Sequence, residues 1–245
     1  MDVRTNHFKT SNYAVFCMAT LISSTCVMAN NDIDQQPIAS QYASTTISTL
    51  ATSMKVGDMV FIRVSAKPFR EVAAATNSWT NHVGIVVDIS GVEPLIGEST
   101  FPFSRTTTLS KFIARSEDGR VAVARIKTPL SQEQQQRVLA AANKQAGIFY
   151  DTGFNLHSHR QFCSRYVREV LSESTGINVG EVETFSTLLA HRPDTNVGFW
   201  KMWYFGHIPW ERETVTPASL LRSQQVALLF DGVTMKHAAH DSSQN

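Results

Sequence analysis

The stretch Arg160-Gln-Phe-Cys-Ser-Arg-Tyr-Val-Arg-Glu-Val-Leu171 decides how the chain is read. Its apolar residues fall at Cys163, Tyr166, Val167, Val170 and Leu171, the i, i+3, i+4, i+7, i+8 stripe of a helix that faces a core. Gly176 marks the end of that helix. The cysteine therefore opens the helix and points inward, where unpaired backbone N–H groups and the helix dipole favour a thiolate. A merely packed cysteine could occupy any position on the stripe. In the first turn the thiol stands where a nucleophile would be useful, and both readings stay open on this segment alone.

Upstream of this helix lies another with its own signals. Pro129 precedes Ser131, Gln134 completes a capping box three residues on, and Gly147 closes the segment. Further back, residues 120–127 alternate as a strand, residues 94–99 suit another, and residues 82–89 and 59–64 are apolar enough for buried strands. Residues 68–75 suit a short helix with Pro68 in its first turn. Gly57-Asp58 reads as a turn, with Asp58 capping the loop. Downstream, residues 196–210 are crowded with aromatics (Trp200, Trp203, Tyr204, Phe205, Trp210). Thr216-Pro217 reads as an N-cap and first-turn proline of a last short helix. Strands precede helices in this order, which makes the class α+β.

The ends of the chain read differently. Arg4 and Lys9 precede an uncharged, largely apolar run over residues 14–29 that closes on Val27-Met28-Ala29, the pattern of a secretory signal. The run is too short and too rich in Ser and Thr for a transmembrane span of roughly 20 residues. Lipoprotein processing before Cys26 is the alternative, disfavoured by Ser23 and Thr25. The expected organisation is a leader over 1–29, a linker over 30–53, one domain over 54–232 and a disordered tail over 233–245. With the leader removed, Cys163 is the sole thiol and no internal disulfide can form. The implied location is the periplasm or the medium, with envelope association possible through Cys26. A formal charge of +1 without a basic stripe points away from nucleic acid.

A cysteine nucleophile needs a base within reach and a third group to orient that base. His237 and His240 fall in the tail, His191 in a loop and His207 in the aromatic stretch. His157 and His159 stand just before the cysteine helix. With Cys163 they have a spacing open to a metal, but no fourth ligand is near in sequence, so no metal or other cofactor is expected. His82 alone heads a buried strand, which fixes its position. Glu98 is the nearest carboxylate in a strand context, although an edge-strand surface role fits it equally well. Tyr150 can pack with Phe149 and Phe154. Arg165 and Arg168 are expected to be solvated on the helix's polar face.

Gly57-Asp58-Met-Val-Phe, Trp79-Thr-Asn-His-Val-Gly-Ile-Val86, Glu98, Tyr150-Asp151 and Phe162-Cys-Ser-Arg-Tyr-Val167, in that order, resemble the permuted NlpC-like papain-fold hydrolases of the YiiX/YaeF/YebB type. The resemblance spans roughly residues 55–230. It implies a circularly permuted papain-like fold, with an antiparallel sheet packed on the cysteine helix and the histidine strand ahead of it in sequence. It also implies roles: Cys163 as nucleophile, His82 as general base, Glu98 as the residue orienting the imidazole, and Tyr150 as an oxyanion donor. The reaction implied is acyl transfer to water, on amide bonds of cell-wall or small peptides. A lipid acyl hydrolase or acyltransferase with the same dyad is the first alternative, and a non-catalytic binding module with an idle dyad the second; under each reading the protein is expected to be a monomer.

Overall fold

A computed structural model describes residues 42–190 and 195–235. The expected leader with Cys26, most of the expected linker, His191 and the tail beyond 235 lie outside the described residues.

Strand β1 (Ala43–Thr46), helix α1 (Ile47–Ser53) and strand β2 (Met59–Ile62) open the described chain. After α2 (Lys67–Ala75) come β3 (His82–Asp88), β4 (Leu95–Glu98) and β5 (Arg105–Thr108). Helix α3 (Leu109–Ile113), strand β6 (Arg120–Ile126) and helix α4 (Gln132–Lys144) lead to the cysteine helix α5 (Cys163–Thr175). The rest comprises β7 (Glu183–Thr184), α6 (Phe185–Ala190), α7 (Val197–Trp203), β8 (Glu213–Thr214), α8 (Pro217–Leu221) and β9 (Val226–Met235). Seven strands form one sheet in the order β1-β9-β6-β2-β3-β4-β5, antiparallel except for the β1–β9 pair. The chain is thus the expected α+β domain with a mostly antiparallel sheet. Among the described residues no helix is long and apolar enough to cross a membrane.

The central strands are apolar throughout because both faces of the sheet are covered. Met59, Phe61, Val83, Ile85 and Val87 pack under α4 and α5, together with Tyr166, Val167, Val170 and Leu171. Val60, Ile62, Val86 and Ile96 pack on the other face with Leu50, Met54, Leu109 and Phe112. That second layer corrects the expected linker. Residues 42–53 are part of the domain, with Ile47, Leu50, Ala51 and Met54 forming a helical stripe that the Ser/Thr-rich composition conceals. The domain also continues to Met235 through β9, past the expected boundary at 232, because β9 is held between β6 and β1.

Local signals explain the helix ends. Ser131 and Gln134 form the capping box at α4, and Thr216 and Ser219 form another at α8. Gly176 takes the left-handed conformation (φ 76°) at the end of α5. Arg165 and Arg168 are not solvated as expected. Arg165 pairs with Glu169 and donates to the carbonyls of Ser158 and Arg160, while Arg168 donates to those of Val179 and Gly180. Their long stems carry the guanidinium to loop carbonyls that would otherwise lack donors.

Gly97 sets how closely α5 approaches the sheet. A Cβ there would lie 2.6 Å from the Tyr166 hydroxyl oxygen and 2.9 Å from Val87 Cγ1. Tyr166 is buried and cannot swing aside, so Gly97→Ala is expected to destabilise the fold by about 1–3 kcal/mol, the usual cost of overpacking. A urea unfolding midpoint equal to wild type would contradict this packing.

Candidate functional site

The first turn of α5, the head of β3 and the end of β4 meet around Cys163. Phe162 caps α5 without any side-chain hydrogen bond, so the first-turn N–H groups face the site without a competing side-chain acceptor. Cys163 is a free thiol, 4% exposed. The antiparallel register pairs Ile85 with Gly97, so Glu98 lies across from Gly84 and on the same pleat face as His82. Gly84 lets Ile96 and Phe112 close over that face, because a Cβ there would lie 2.5 Å from Ile96 Cγ2 and 2.9 Å from Phe112 Cε2. The Phe112 ring stacks on the imidazole (5.6 Å between centroids), and Phe69 meets it edge-on at 5.9 Å.

The polar contacts assign the two imidazole nitrogens. Nε2 lies 2.7 Å from Glu98 Oε2, with both residues buried. Burial works hardest to raise the Glu98 pKa, but His82 and then Arg115 outweigh it, bringing it to about 2. An ionised Glu98 can only accept, so Nε2 carries the proton and Nδ1 is left to exchange one. Nδ1 has no partner in hydrogen-bonding geometry, and the nearby Cys163 sulfur is the group placed to engage it. For His82 burial is again the largest influence and lowers the pKa. The Cys163 sulfur and then Glu98 overcome it, and the pKa is raised to about 9.

Tyr150 comes to the same place. Its hydroxyl is buried without a hydrogen-bond partner. Burial first, then Cys163, Asp151 and Glu98, push its pKa well above 10, so the O–H stays a donor. The four residues singled out from the sequence are therefore brought together.

Other participants gave no sequence signal. Arg115 Nη2 donates to Glu98 Oε2 at 2.6 Å and Arg105 Nε to Oε1 at 3.4 Å. Arg115 also lies over the Phe112 ring, at 5.0 Å from its centroid. Asp58 does cap its loop, accepting from Lys55 N, but it is also held by two bonds from Arg125. His157 turns to Glu213 at 2.7 Å instead of joining Cys163. Trp200 is buried and walls a narrow cavity beside Cys163, whereas Trp210 is half-exposed.

A helix-borne cysteine beside a strand-borne histidine that a buried carboxylate holds from behind defines a papain-like site. The histidine strand precedes the cysteine helix in this sequence, which is the permuted arrangement. Residues 53–230 match the family described as permuted papain-like amidase enzyme, YaeF/YiiX, C92 family, and the chain belongs to that family. The uncharacterized protein YiiX of Escherichia coli K12 is 28% identical over 181 residues, which is 74% of this chain and 88% of that protein. The crystal structure titled metalloprotein yiiX from Escherichia coli O157:H7 matches with a TM-score of 0.65 at 26% identity, covering 73% of this chain and 98% of that one. Among the described residues of this chain, no three His, Cys, Asp or Glu side chains come together to hold a metal ion.

Proposed function

We propose that this protein is an exported cysteine amidase in which Cys163 is the nucleophile, His82 the general base and acid, Glu98 its orienting group and Tyr150 an oxyanion donor. The observation that carries the reading is the divided imidazole: Nε2 is fixed on ionised Glu98 while Nδ1 is unpartnered beside the thiol. Below about pH 9 the thiol proton already rests on His82, which leaves the sulfur as a thiolate beside the imidazolium. The sulfur bonds to the amide carbonyl carbon, and the oxyanion lies against the Tyr150 O–H and the Cys163 N–H. The C–N bond then breaks as the amine leaves with the proton from His82. Water, deprotonated by His82, hydrolyses the thioester and restores the thiol. Peptide amides are the favoured substrates, and the apolar walls beside Cys163 suit an apolar group next to the scissile carbonyl. The signal-like pattern of residues 14–29 supports action outside the cytoplasm.

The pH profile of amide hydrolysis tests this. A raised histidine pKa means that His82 carries its proton below about 9 and loses it above. A deprotonated imidazole cannot protonate the leaving amine, so the rate should fall about tenfold per pH unit above that value. Ammonia release from acetyl-dialanyl-leucinamide between pH 5 and 11 reads this directly. A rate that stays level or climbs through pH 11, or one that survives Cys163→Ala, would defeat the proposal.

A further inference from the structure

The cavity beside Cys163 is too small to hold a substrate by itself. Its volume is about 40 Å³, and its walls include Tyr150, Phe154, Phe69, Val72 and Trp200. Small-molecule sites usually measure about 300–1,000 Å³. A second cavity of about 680 Å³ lies next to it, and the two share Ala75, Thr76, Leu188 and Thr216 as common walls. The chemistry changes across that shared wall. Beyond it stand the amide side chains of Asn77, Asn178, Gln224 and Gln225, with the carboxylates of Glu181 and Glu183 and the guanidinium of Arg222. Arg222 is partly spent on the carbonyls of Thr76 and Asn77. What the larger groove offers in quantity is therefore neutral amide groups, each both donor and acceptor.

Which part of a substrate each cavity receives follows from the proposed catalytic roles, on which the inference rests. The leaving group must reach His82 for its proton, and His82 is not a wall of the narrow cavity. Cys163 and Tyr150 are, and they hold the carbonyl carbon and oxygen. The narrow cavity thus receives the acyl side of the substrate, and the polar groove receives whatever extends beyond it. We infer that the natural acyl donor is a peptidyl group: an apolar residue at the scissile carbonyl occupies the slot, and the preceding backbone amides lie among Asn178, Gln224 and Gln225. An unbranched hydrocarbon acyl chain would satisfy the slot but offer no hydrogen-bonding group to the amides of the groove, whereas a peptide backbone offers both donors and acceptors.

The test compares acetyl-dialanyl-leucinamide with octanamide, which ends in the same carboxamide but has no polar extension. Binding of each to Cys163→Ala protein is measured by calorimetry. The peptide should bind at least about tenfold tighter, and the double variant Asn178→Ala/Gln225→Ala should erase that advantage, the sum expected from two neutral hydrogen bonds. Octanamide binding as tightly as the peptide, or peptide binding indifferent to the double variant, would overturn the inference in favour of a lipid acyl donor. Hydrolysis of p-nitrophenyl acetate by wild-type protein reads the dyad without the groove. Its absence would remove the catalytic reading, and the binding comparison would still decide what the groove holds.

Discussion

Replacing His82 by alanine is expected to lower the alkylation rate of Cys163 by iodoacetamide at pH 6 about a hundredfold. An ordinary thiol has a pKa near 8.5 and is about 0.3% ionised at that pH. In the wild-type protein the imidazole keeps its proton up to about pH 9 and offers the sulfur a cation to ionise against. His82→Ala removes the cation and leaves Cys163 buried with no positive partner in its place. The lower nucleophilicity of a stabilised thiolate offsets part of the gain, so the effect stays below the full ratio of thiolate fractions. Labelling measured from pH 5 to 10 in both proteins checks it. Equal rates at pH 6 would mean that the thiol and the imidazole do not share a proton, which is the idle dyad of a binding module.

The elements that could be read from sequence are those whose causes are local. Ser131, Gln134, Thr216, Pro217 and Gly176 each make the cap that their chemistry predicts. Met59–Ile62 and His82–Asp88 were legible as buried strands because a sheet covered on both faces leaves no polar alternation. Other elements depend on partners far away in sequence. β1 is a strand only because β9 lies beside it, and Ala43-Ser-Thr-Thr46 has no apolar pattern of its own. β5 is the polar edge strand Arg105–Thr108, paired with β4 on one side alone. Helix α1 and its C-cap hide the core residues Leu50 and Met54, with Ile47 and Ala51 packed beside them, in a Ser/Thr-rich segment.

The site divides along the same line. Cys163 and His82 were visible because helix phase and strand position are local properties. Glu98 and Tyr150 rested on a family resemblance, since the residues alone left each with an equally good packing or surface role. What brings Glu98 to His82 is the β3–β4 register, which no residue near either announces. Arg115 was beyond reach for a further reason. It follows a helix not expected from sequence and gains its role only when that helix lays Phe112 over the imidazole.

Those arginines determine what Glu98→Gln would do. Glu98 Oε2 receives both the His82 Nε2–H and Arg115, and Oε1 receives Arg105. A glutamine supplies one accepting oxygen and one NH₂ group to a site where every neighbour donates. If its oxygen serves His82 and Arg115, its amide hydrogens face Arg105; if it turns, the imidazole loses its acceptor. Breaking a buried ion pair from one side costs 3–5 kcal/mol. Arg115 and Arg105 keep 28% and 45% of their side-chain surface in water, so the lower end, about 3 kcal/mol, is expected here. A second effect separates positioning from simple loss of stability. Glu98 helps hold the proton on His82, so without its charge the high-pH fall in amide hydrolysis should begin below the wild-type value of about 9. Urea unfolding and the pH–rate profile of the same variant read the two effects independently. A destabilised protein with an unmoved profile would reduce Glu98 to a counter-ion for the arginines. A moved profile would show that Glu98, beside the Cys163 sulfur, raises the proton affinity of the imidazole.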